Sequence, residues 1–296
     1  MTEVNNANKK QPLVSVIMNC YNGEAYLREA IESVYEQTYS NWEIVFWDNA
    51  STDNTMAIAN SYDEKLRYFR ADHMTLLGEA RVLATGRANG DYLAFLDVDD
   101  FWLKNKLEQQ INKFKSSQRT LGLVYGRTEI IFESNHSKNF VDRKGHLLPE
   151  GEVFSELAKV NFIVFSSAMV DKNIFLSCGG FPKHFKNSTD YWIFLKISRR
   201  YLVGAVDDVC CKYRMHSSNL SSSQYVVCAE EAIEAVSMFL PDRKAARGLK
   251  YQYVTLVVMY LKEHDYLAAL KVLLKNGGII LLLKRMITGL GRRLFK

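Results

Sequence analysis

The sequence lacks any apolar run long enough for a membrane-spanning helix. Such a helix needs about 20 consecutive, predominantly apolar residues, whereas the longest apolar run near the C-terminus covers only residues 279–283. Residues 1–10 are polar and contain no apolar core, so they do not match a secretory signal peptide. We therefore expect the protein to stay inside the cell.

Cysteine is scarce, and its spacing matches no metal site or disulfide framework. The chain has five cysteines, an odd number, and none of them forms a Cys-x-x-Cys pair. Scattered cysteines of this kind are typical of reduced thiols in a cytoplasmic protein.

The net charge is small and unevenly distributed. A formal charge of +5 over 296 residues does not by itself indicate nucleic acid, and we expect no such partner. The excess lies at the end of the chain, where residues 271–296 contain seven Lys or Arg and no Asp or Glu. With 48% hydrophobic residues, the chain can bury a core in one large domain or in one domain with an appendage.

Strand-like and helical patterns alternate over the first hundred residues. We predict strands at residues 13–18, 43–47, 66–69 and 92–96. Helices are predicted at 24–37 and at 78–88, and between them another helix follows the turn at 48–55 and ends at about residue 62. This alternation is typical of a parallel α/β sheet, in which ligands bind beyond the carboxyl ends of the strands. The segments expected on that rim are 19–22, 48–49 and 97–100.

The pattern changes after residue 100. We predict helices at 104–115 and 152–160, strands at 122–126, 128–132, 162–170, 202–206 and 209–213, and a polar excursion at 134–149. A serine-rich stretch at 217–224 indicates a boundary. Beyond it the periodicity predicts only helices, at 229–240, 250–262 and 268–275.

Three carboxylates follow the strand predicted at 92–96. Asp97, Asp99 and Asp100 are so close together that they repel one another and need a cation or several hydrogen-bond donors. A divalent cation, Mg²⁺ or Mn²⁺, suits one or two such carboxylates when phosphate oxygens complete its shell. Alternatively, Asp99 or Asp100 caps the helix that follows. These residues alone leave both interpretations open.

Three segments, taken in order, resemble the opening of glycosyltransferase family 2, as found in bacterial cell-envelope polysaccharide glycosyltransferases. They are residues 13–45, 48–53 and 97–102, and the likeness continues more thinly to about His216. The resemblance implies an α/β GT-A fold, with a Rossmann-like nucleotide-binding half and a mixed central sheet. Here a C-terminal helical extension follows.

The resemblance and the serine-rich boundary together predict three regions. Residues 1–11 form a disordered tail, and residues 12–222 form the catalytic domain, with a nucleotide-binding half to about 102 and an acceptor-binding half from 103. Residues 223–296 form a helical region with a basic amphipathic end.

Positions that match the family imply contacts with a nucleotide diphosphate sugar. Asp48 and Asn49 match residues that contact the base, although many members have two carboxylates there. Tyr21 lies in the first loop, where it packs against the base or is a simple turn aromatic. Arg81 matches a basic position near the nucleotide, and the alternative is a surface helix arginine.

The Asp-x-Asp motif of the family matches Asp97, Val98 and Asp99. By resemblance, Asp97 or Asp99 binds the ribose, and Asp99 or Asp100 ligates Mn²⁺ or Mg²⁺ at the diphosphate. His216 resembles a later motif that returns to the diphosphate, and the alternative is a surface histidine.

The family transfers its sugar with inversion, which requires a base opposite the leaving nucleotide. Asp190 matches the position of that base, directly before an apolar helix. An Asp at a helix start is also a good N-cap, and the two roles are compatible.

The resemblance implies transfer of a single sugar, with a UDP-sugar as the default donor, to a hydroxyl of a glycan or lipid-linked acceptor. Such transfers assemble cell-envelope polysaccharide, lipopolysaccharide or glycoprotein glycans. The rival interpretations are a metal-dependent nucleotidyltransferase or phosphoesterase and a non-catalytic sugar-nucleotide-binding module. Residues 267–296 mix apolar and basic side chains, so they lie on an anionic membrane at its cytoplasmic face or pack on the catalytic domain.

Overall fold

One nine-stranded sheet runs through the computed structural model, which describes residues 11–276. The strands are β1 (Val14–Cys20), β2 (Trp42–Asp48), β3 (Leu66–Arg70), β4 (Tyr92–Phe95), β5 (Phe101–Trp102), β6 (Leu121–Phe132), β7 (Phe140–Val141), β8 (Met169–Asp171) and β9 (Leu202–Met215). The helices are α1 (Leu27–Tyr35), α2 (Thr55–Ala59), α3 (Leu77–Thr85), α4 (Lys106–Ser116), α5 (Phe154–Leu157), α6 (Lys172–Ser177), α7 (Thr189–Arg200), α8 (Leu220–Ser223), α9 (Tyr225–Ser237), α10 (Arg243–Lys262) and α11 (Tyr266–Asn276).

The sheet is mixed. Its strand order is β3-β2-β1-β4-β8-β6-β9-β5, with β7 added to the edge of β6. The first four strands are parallel, β8 runs antiparallel to both β4 and β6, and β9 returns parallel to β6. The predicted fold class, a Rossmann-like half joined to a mixed sheet, is therefore confirmed.

Helices cover both faces of the parallel strands, because successive side chains of a strand point to opposite faces. On β1, Ile17 faces a cluster that includes residues of α3, α7 and α9. Val16 and Met18 face the other cluster, which includes residues of α1 and α4.

Strand register places the predicted loops on one rim of the sheet. Cys20, the last residue of β1, lies beside Asp48, and Asp48 lies beside Arg70 at the end of β3. Ile17 pairs with Phe95, so the acidic loop after β4 begins at the same rim.

Several predicted boundaries are wrong in the second half of the chain. The two strands predicted at 122–132 are one strand, β6, whose register shifts beside Arg127. The strand predicted at 162–170 is instead a 3₁₀ turn, Phe165–Ser167, followed by the short β8. The buried carbonyl of Ser167 accepts a hydrogen bond from Gln110, and Phe165 stacks on Phe95, so tertiary contacts override the local strand preference.

Helices α9 and α10 pack directly on the core beside the sheet. The core cluster of α3 and α7 also contains Ala232, Ala235, Val236 and Ala245 from α9 and α10. The division into domains stays a prediction. Of the tail predicted at residues 1–11, residues 1–10 lie outside the described residues, and so does the basic end at 277–296. Within 11–276, no helix is both long and apolar enough to cross a membrane.

Gly78 marks a close approach between α3 and the turn before α7. Its amide donates to the carbonyl of Phe185 at 2.9 Å. A Cβ atom at this position would lie 1.9 Å from the carbonyl oxygen of Pro182, which is part of the backbone and cannot rotate away. The close approach of α3 to residues 182–185 therefore requires glycine at position 78.

We predict that Gly78→Ala lowers the free energy of unfolding by about 1–3 kcal/mol, because the new methyl group forces two backbone segments apart. Gly86→Ala is the matched control on the same helix: its Cβ would meet nothing closer than 3.4 Å, and its φ of −65° suits alanine. The control should be neutral or slightly stabilising. Urea denaturation of both variants measures the difference, and equal stabilities would contradict the prediction.

Candidate active site

The acidic loop between β4 and β5 presents its three carboxylates to different surroundings. The side chains of Asp97 and Asp99 are 34% and 26% exposed, whereas Asp100 is 1% exposed. The loop is tied by a hydrogen bond from the Asp100 amide to the Asp97 carbonyl. Two of the carboxylates are thus partly exposed to solvent, and the third is buried.

Asp100 is bonded inside the protein through both oxygens. One accepts the Ser166 hydroxyl hydrogen bond, and the other accepts from the backbone N–H of Arg214 at 3.0 Å. Burial, reinforced by Asp99 and Asp97, raises the pKa of Asp100 well above its usual range. Both oxygens of this buried carboxyl thus already have protein partners, whereas Asp99 is more exposed; the assignment of Asp100 as a metal ligand stays a prediction.

Asp99 is held by residues that follow β9. Its Oδ2 lies 3.0 Å from Nε2 of His216 and accepts from Nδ2 of Asn219 at 3.2 Å. The His216 ring packs on Tyr26, with ring centroids 5.0 Å apart, and its side chain is 7% exposed. The interpretation of His216 as a surface residue is therefore wrong.

Arg81 lies between the acidic loop and α7. It is 4% exposed, and its Nη2 and Nη1 donate to Asp97 Oδ1 at 3.0 Å and to Thr189 Oγ1 at 2.6 Å. The guanidinium carbon lies 3.7 Å from the ring centroid of Phe165. The alternative of a surface helix arginine is wrong, because this cation is buried and joins the acidic loop to the first residue of α7.

Burial and neighbouring charges set the pKa of Asp97. Burial raises this pKa to about 6, Arg81 opposes the rise, and the carboxylates of Asp99 and Asp190 add to it. The contribution of Asp190 indicates that this residue belongs to the same electrostatic cluster.

Asp190 sits in the first turn of α7, and Ser188 is the N-cap of that helix. Its Oδ2 accepts a hydrogen bond from Nδ2 of Asn161 at 2.9 Å. Burial raises the pKa of Asp190, while the Arg81 guanidinium lowers it. Asp190 is thus an oriented carboxylate next to Thr189, whose hydroxyl accepts a hydrogen bond from Arg81.

The predicted base-binding pair, Asp48 and Asn49, is buried and internally bonded. Asp48 accepts from the Ser51 amide at 2.7 Å, the Tyr68 hydroxyl at 2.6 Å and Arg70 at 2.9 Å. Asn49 exchanges hydrogen bonds with the main chain and hydroxyl of Thr75. Both side chains therefore shape the rim through these neighbours.

Tyr21, by contrast, is 48% exposed at the end of β1, beside Asn49, whose amide donates to the Cys20 carbonyl at 2.8 Å. Arg70, whose guanidinium is held by Asp48 at 2.9 Å, places a partly exposed cation on this part of the rim. The sequence offered no signal for Arg70, since a charged residue at a strand end is ordinary.

Several polar residues of the site escaped the sequence analysis. Ser166 bridges the Asp97 amide and the Asp100 carboxyl, Asn161 orients Asp190, and Asn219 contacts both Asp99 and His216. These are common residues in loops, and only the folded chain brings them to the acidic groups.

The donor atoms of Asp99 and His216 fit a divalent cation that takes its remaining ligands from a bound diphosphate. Across residues 11–276, no three His, Cys, Asp or Glu side chains form a complete metal site. Asp99 supplies carboxylate oxygens, which suit Mn²⁺ or Mg²⁺, and Nε2 of His216, 3.0 Å from one of them, is a nitrogen donor beside it. A cation held by two protein ligands would need phosphate oxygens to complete its shell.

Sequence comparison relates the chain to known glycosyltransferases. The sequence model described as "Glycosyl transferase family 2" matches residues 15–179. The chain is 32% identical over 216 residues to the Escherichia coli UDP-Glc:alpha-D-GlcNAc-diphosphoundecaprenol beta-1,3-glucosyltransferase WfgD, covering 72% of this chain and 81% of that protein. It is 26% identical to the putative teichuronic acid biosynthesis glycosyltransferase TuaG of Bacillus subtilis, over 73% and 84% of the two chains.

Structural comparison identifies the fold. The mannosyltransferase PcManGT from Pyrobaculum calidifontis, solved with GDP-Man and Mn²⁺, superposes with a TM-score of 0.64 at 17% identity, covering 95% of this chain and 81% of that one. S. aureus TarS 1-349, solved with UDP-GlcNAc, gives a TM-score of 0.60 at 17% identity, over 86% and 72%. The architecture is the GT-A fold of these enzymes.

Proposed function

The chain belongs to glycosyltransferase family 2, and we propose that it transfers a single sugar, with inversion, from a UDP-sugar to a hydroxyl of a glycan or lipid-linked acceptor. The observation that carries this proposal is the arrangement around Arg81. This cation donates hydrogen bonds to Asp97 on the acidic loop and to Thr189, the residue before Asp190, and Asp190 is oriented by Asn161. A donor site and a base on opposite sides of one cleft are what an inverting displacement requires.

The donor is proposed to lie along the rim of the parallel strands. Exposed Tyr21 would stack on the base, while Asp48 and Asn49 act through Arg70 and Thr75. Uridine is favoured because WfgD, by its name, takes its sugar from UDP-Glc.

The two exposed carboxylates of the acidic loop would share the rest of the donor. Asp97 would bind the ribose with help from Arg81, which is already bonded to it. Asp99 and His216 would hold Mn²⁺ or Mg²⁺ at the diphosphate. When bound, the cation neutralises charge that develops on the leaving diphosphate.

Asp190 is proposed as the general base. The acceptor oxygen forms a bond to the anomeric carbon, and the bond from that carbon to the diphosphate oxygen breaks, with its electron pair leaving on the diphosphate. The acceptor proton passes to the Asp190 carboxylate. Burial raises the pKa of this carboxylate, which strengthens it as a base, and Asn161 keeps it oriented.

The acceptor is proposed to be a lipid-linked glycan of cell-envelope polysaccharide assembly, reached at the cytoplasmic face of the membrane. The names of WfgD and TuaG specify a diphosphoundecaprenol acceptor and teichuronic acid biosynthesis. Leu267, Leu270 and Leu274 are exposed along α11 beside Lys271, whereas Ala269 is buried against the protein. Such a surface suits an anionic membrane.

We predict that Asp190→Asn lowers the transfer rate by about 10²–10⁴-fold, because a neutral amide cannot take the proton. Binding of UDP with Mn²⁺, measured by calorimetry, should be unchanged. Asp208→Asn is the matched control, since Asp208 is exposed and contacts Gln109 instead. Undiminished transfer by Asp190→Asn would refute the base, and donor hydrolysis without transfer to any acceptor would favour a phosphoesterase.

We predict that Asp99→Ala and Asp100→Ala fail in different ways. Asp99→Ala should keep its melting temperature but lose the stabilisation by UDP and Mn²⁺, which for the wild type is about 2.7 kcal/mol at a hundred times the dissociation constant. Asp100→Ala should lose about 1–3 kcal/mol of stability, because the Ser166 hydroxyl and Arg214 amide lose their acceptor. Thermal-shift assays with and without ligands separate the two, and a stable Asp100→Ala protein that no longer responds to Mn²⁺ would contradict this division.

We predict that the double variant Leu270→Glu, Leu274→Glu binds vesicles of anionic phospholipid at least about tenfold more weakly than the wild type, since each leucine loses apolar burial and gains a repelled charge. Co-sedimentation of the full chain measures the change. Leu147→Glu is the control, since this leucine is also exposed, at 88%, and is remote from α11 in the sequence. Equal binding of all three proteins would exclude the membrane surface.

A further inference from the structure

The segment before α7 is bound by a carboxylate from the C-terminal helices. Glu231 of α9 accepts hydrogen bonds from three consecutive backbone amides, those of Lys186, Asn187 and Ser188. Glu231 is only 9% exposed. Hydrogen bonds to an ionised acceptor are roughly twice as strong as neutral ones, so a single side chain fixes the whole segment 186–188.

The same face of α9 makes two further contacts with this segment. Gln224 Oε1 accepts from Asn187 Nδ2, and the Cys228 carbonyl accepts from the Ser188 hydroxyl, both at 3.1 Å. Residues 224, 228 and 231 are spaced by four and three positions, so they lie on one side of the helix.

Glu231 also supplies negative charge where α7 begins. Ser188 is the N-cap of α7, yet its side chain makes no capping hydrogen bond within the helix. The unpaired amides at a helix start favour a nearby anion. The carboxylate of Glu231, bonded to the Ser188 amide at 2.7 Å, takes this place.

Helix α10 fixes the other side of the same region. Gln252 Nε2 donates to the carbonyls of Ala158 and Lys159 and to the Tyr191 hydroxyl, at 2.9–3.1 Å. These residues flank Asn161 and Asp190 in the sequence. Helices α9 and α10 thus fix the two segments that carry Asn161 and Asp190.

We propose that Glu231 is a positioning residue for sugar transfer: by fixing residues 186–188 it sets the start of α7, so that Asp190 meets the acceptor hydroxyl. This inference rests on the proposed role of Asp190 as the base. Glu231 bonds to none of the residues assigned to the donor, so its removal should affect the chemical step and leave donor binding intact.

The test is Glu231→Gln in the full chain. An amide keeps one acceptor oxygen for three N–H groups and removes the charge, so the segment relaxes, and misplacement of about 1 Å can cost roughly 100-fold in rate. We expect kcat to fall by about 100-fold, with the KM for the UDP-sugar and the calorimetric affinity for UDP with Mn²⁺ unchanged within about twofold.

Glu230→Gln is the matched control. It makes the same change at the preceding residue of α9, where Glu230 is exposed and accepts a hydrogen bond from the Tyr260 hydroxyl at 3.0 Å. Its kcat should equal that of the wild type. If Glu231→Gln does not fold, Gln224→Ala takes its place, since it removes one contact with the same segment, and its kcat should fall by less.

Two results would overturn the inference. One is wild-type kcat in Glu231→Gln, or in Gln224→Ala where that variant is used. The other is a loss of UDP affinity parallel to the loss of kcat, which would indicate general unfolding of the site. These results differ from failure of the proposed function, in which Asp190→Asn itself retains transfer.

Discussion

The candidate site depends on the contacts of one buried group, the guanidinium of Arg81. A buried cation is costly unless its charge is paired, and Arg81 meets Asp97, Thr189 and the face of Phe165. These partners come from the acidic loop, the start of α7 and the turn between them. The same cation lies near carboxylates that would otherwise repel one another. It therefore holds the acidic loop against α7 and offsets part of their negative charge.

The first half of the site was predictable because its signals are local. Apolar strands of β1, β2 and β4 alternate with amphipathic helices, and parallel strands necessarily end on one rim. Asp48, Asn49 and the acidic loop follow directly from that rule. The predicted position of Asp190 also agrees with the start of α7, because a polar segment followed by dense apolar periodicity is a strong helix signal.

The division of roles among the acidic residues was not predictable, since it depends on contacts that are distant in sequence. Asp99 and Asp100 are adjacent and chemically identical, yet one faces His216 and the other faces Ser166. Only the pairing of β5 with β9 decides which carboxyl is buried. The same applies to Asp48, whose carboxylate is taken by Arg70 across the strand pair.

The acidic loop and the region around Asp190 are built by different parts of the chain. The match to the family ends at residue 179, so it includes the acidic loop and Arg81 but neither Asp190 nor α9. The rim that suits the nucleotide is made by parallel strands, whose geometry is set by backbone pairing. The side proposed for the acceptor instead depends on side-chain contacts such as those of Glu231 and Gln252 with the segments around Asp190. A substitution among these side chains would therefore move the segments around Asp190 while the backbone pairing of the parallel strands stays in place.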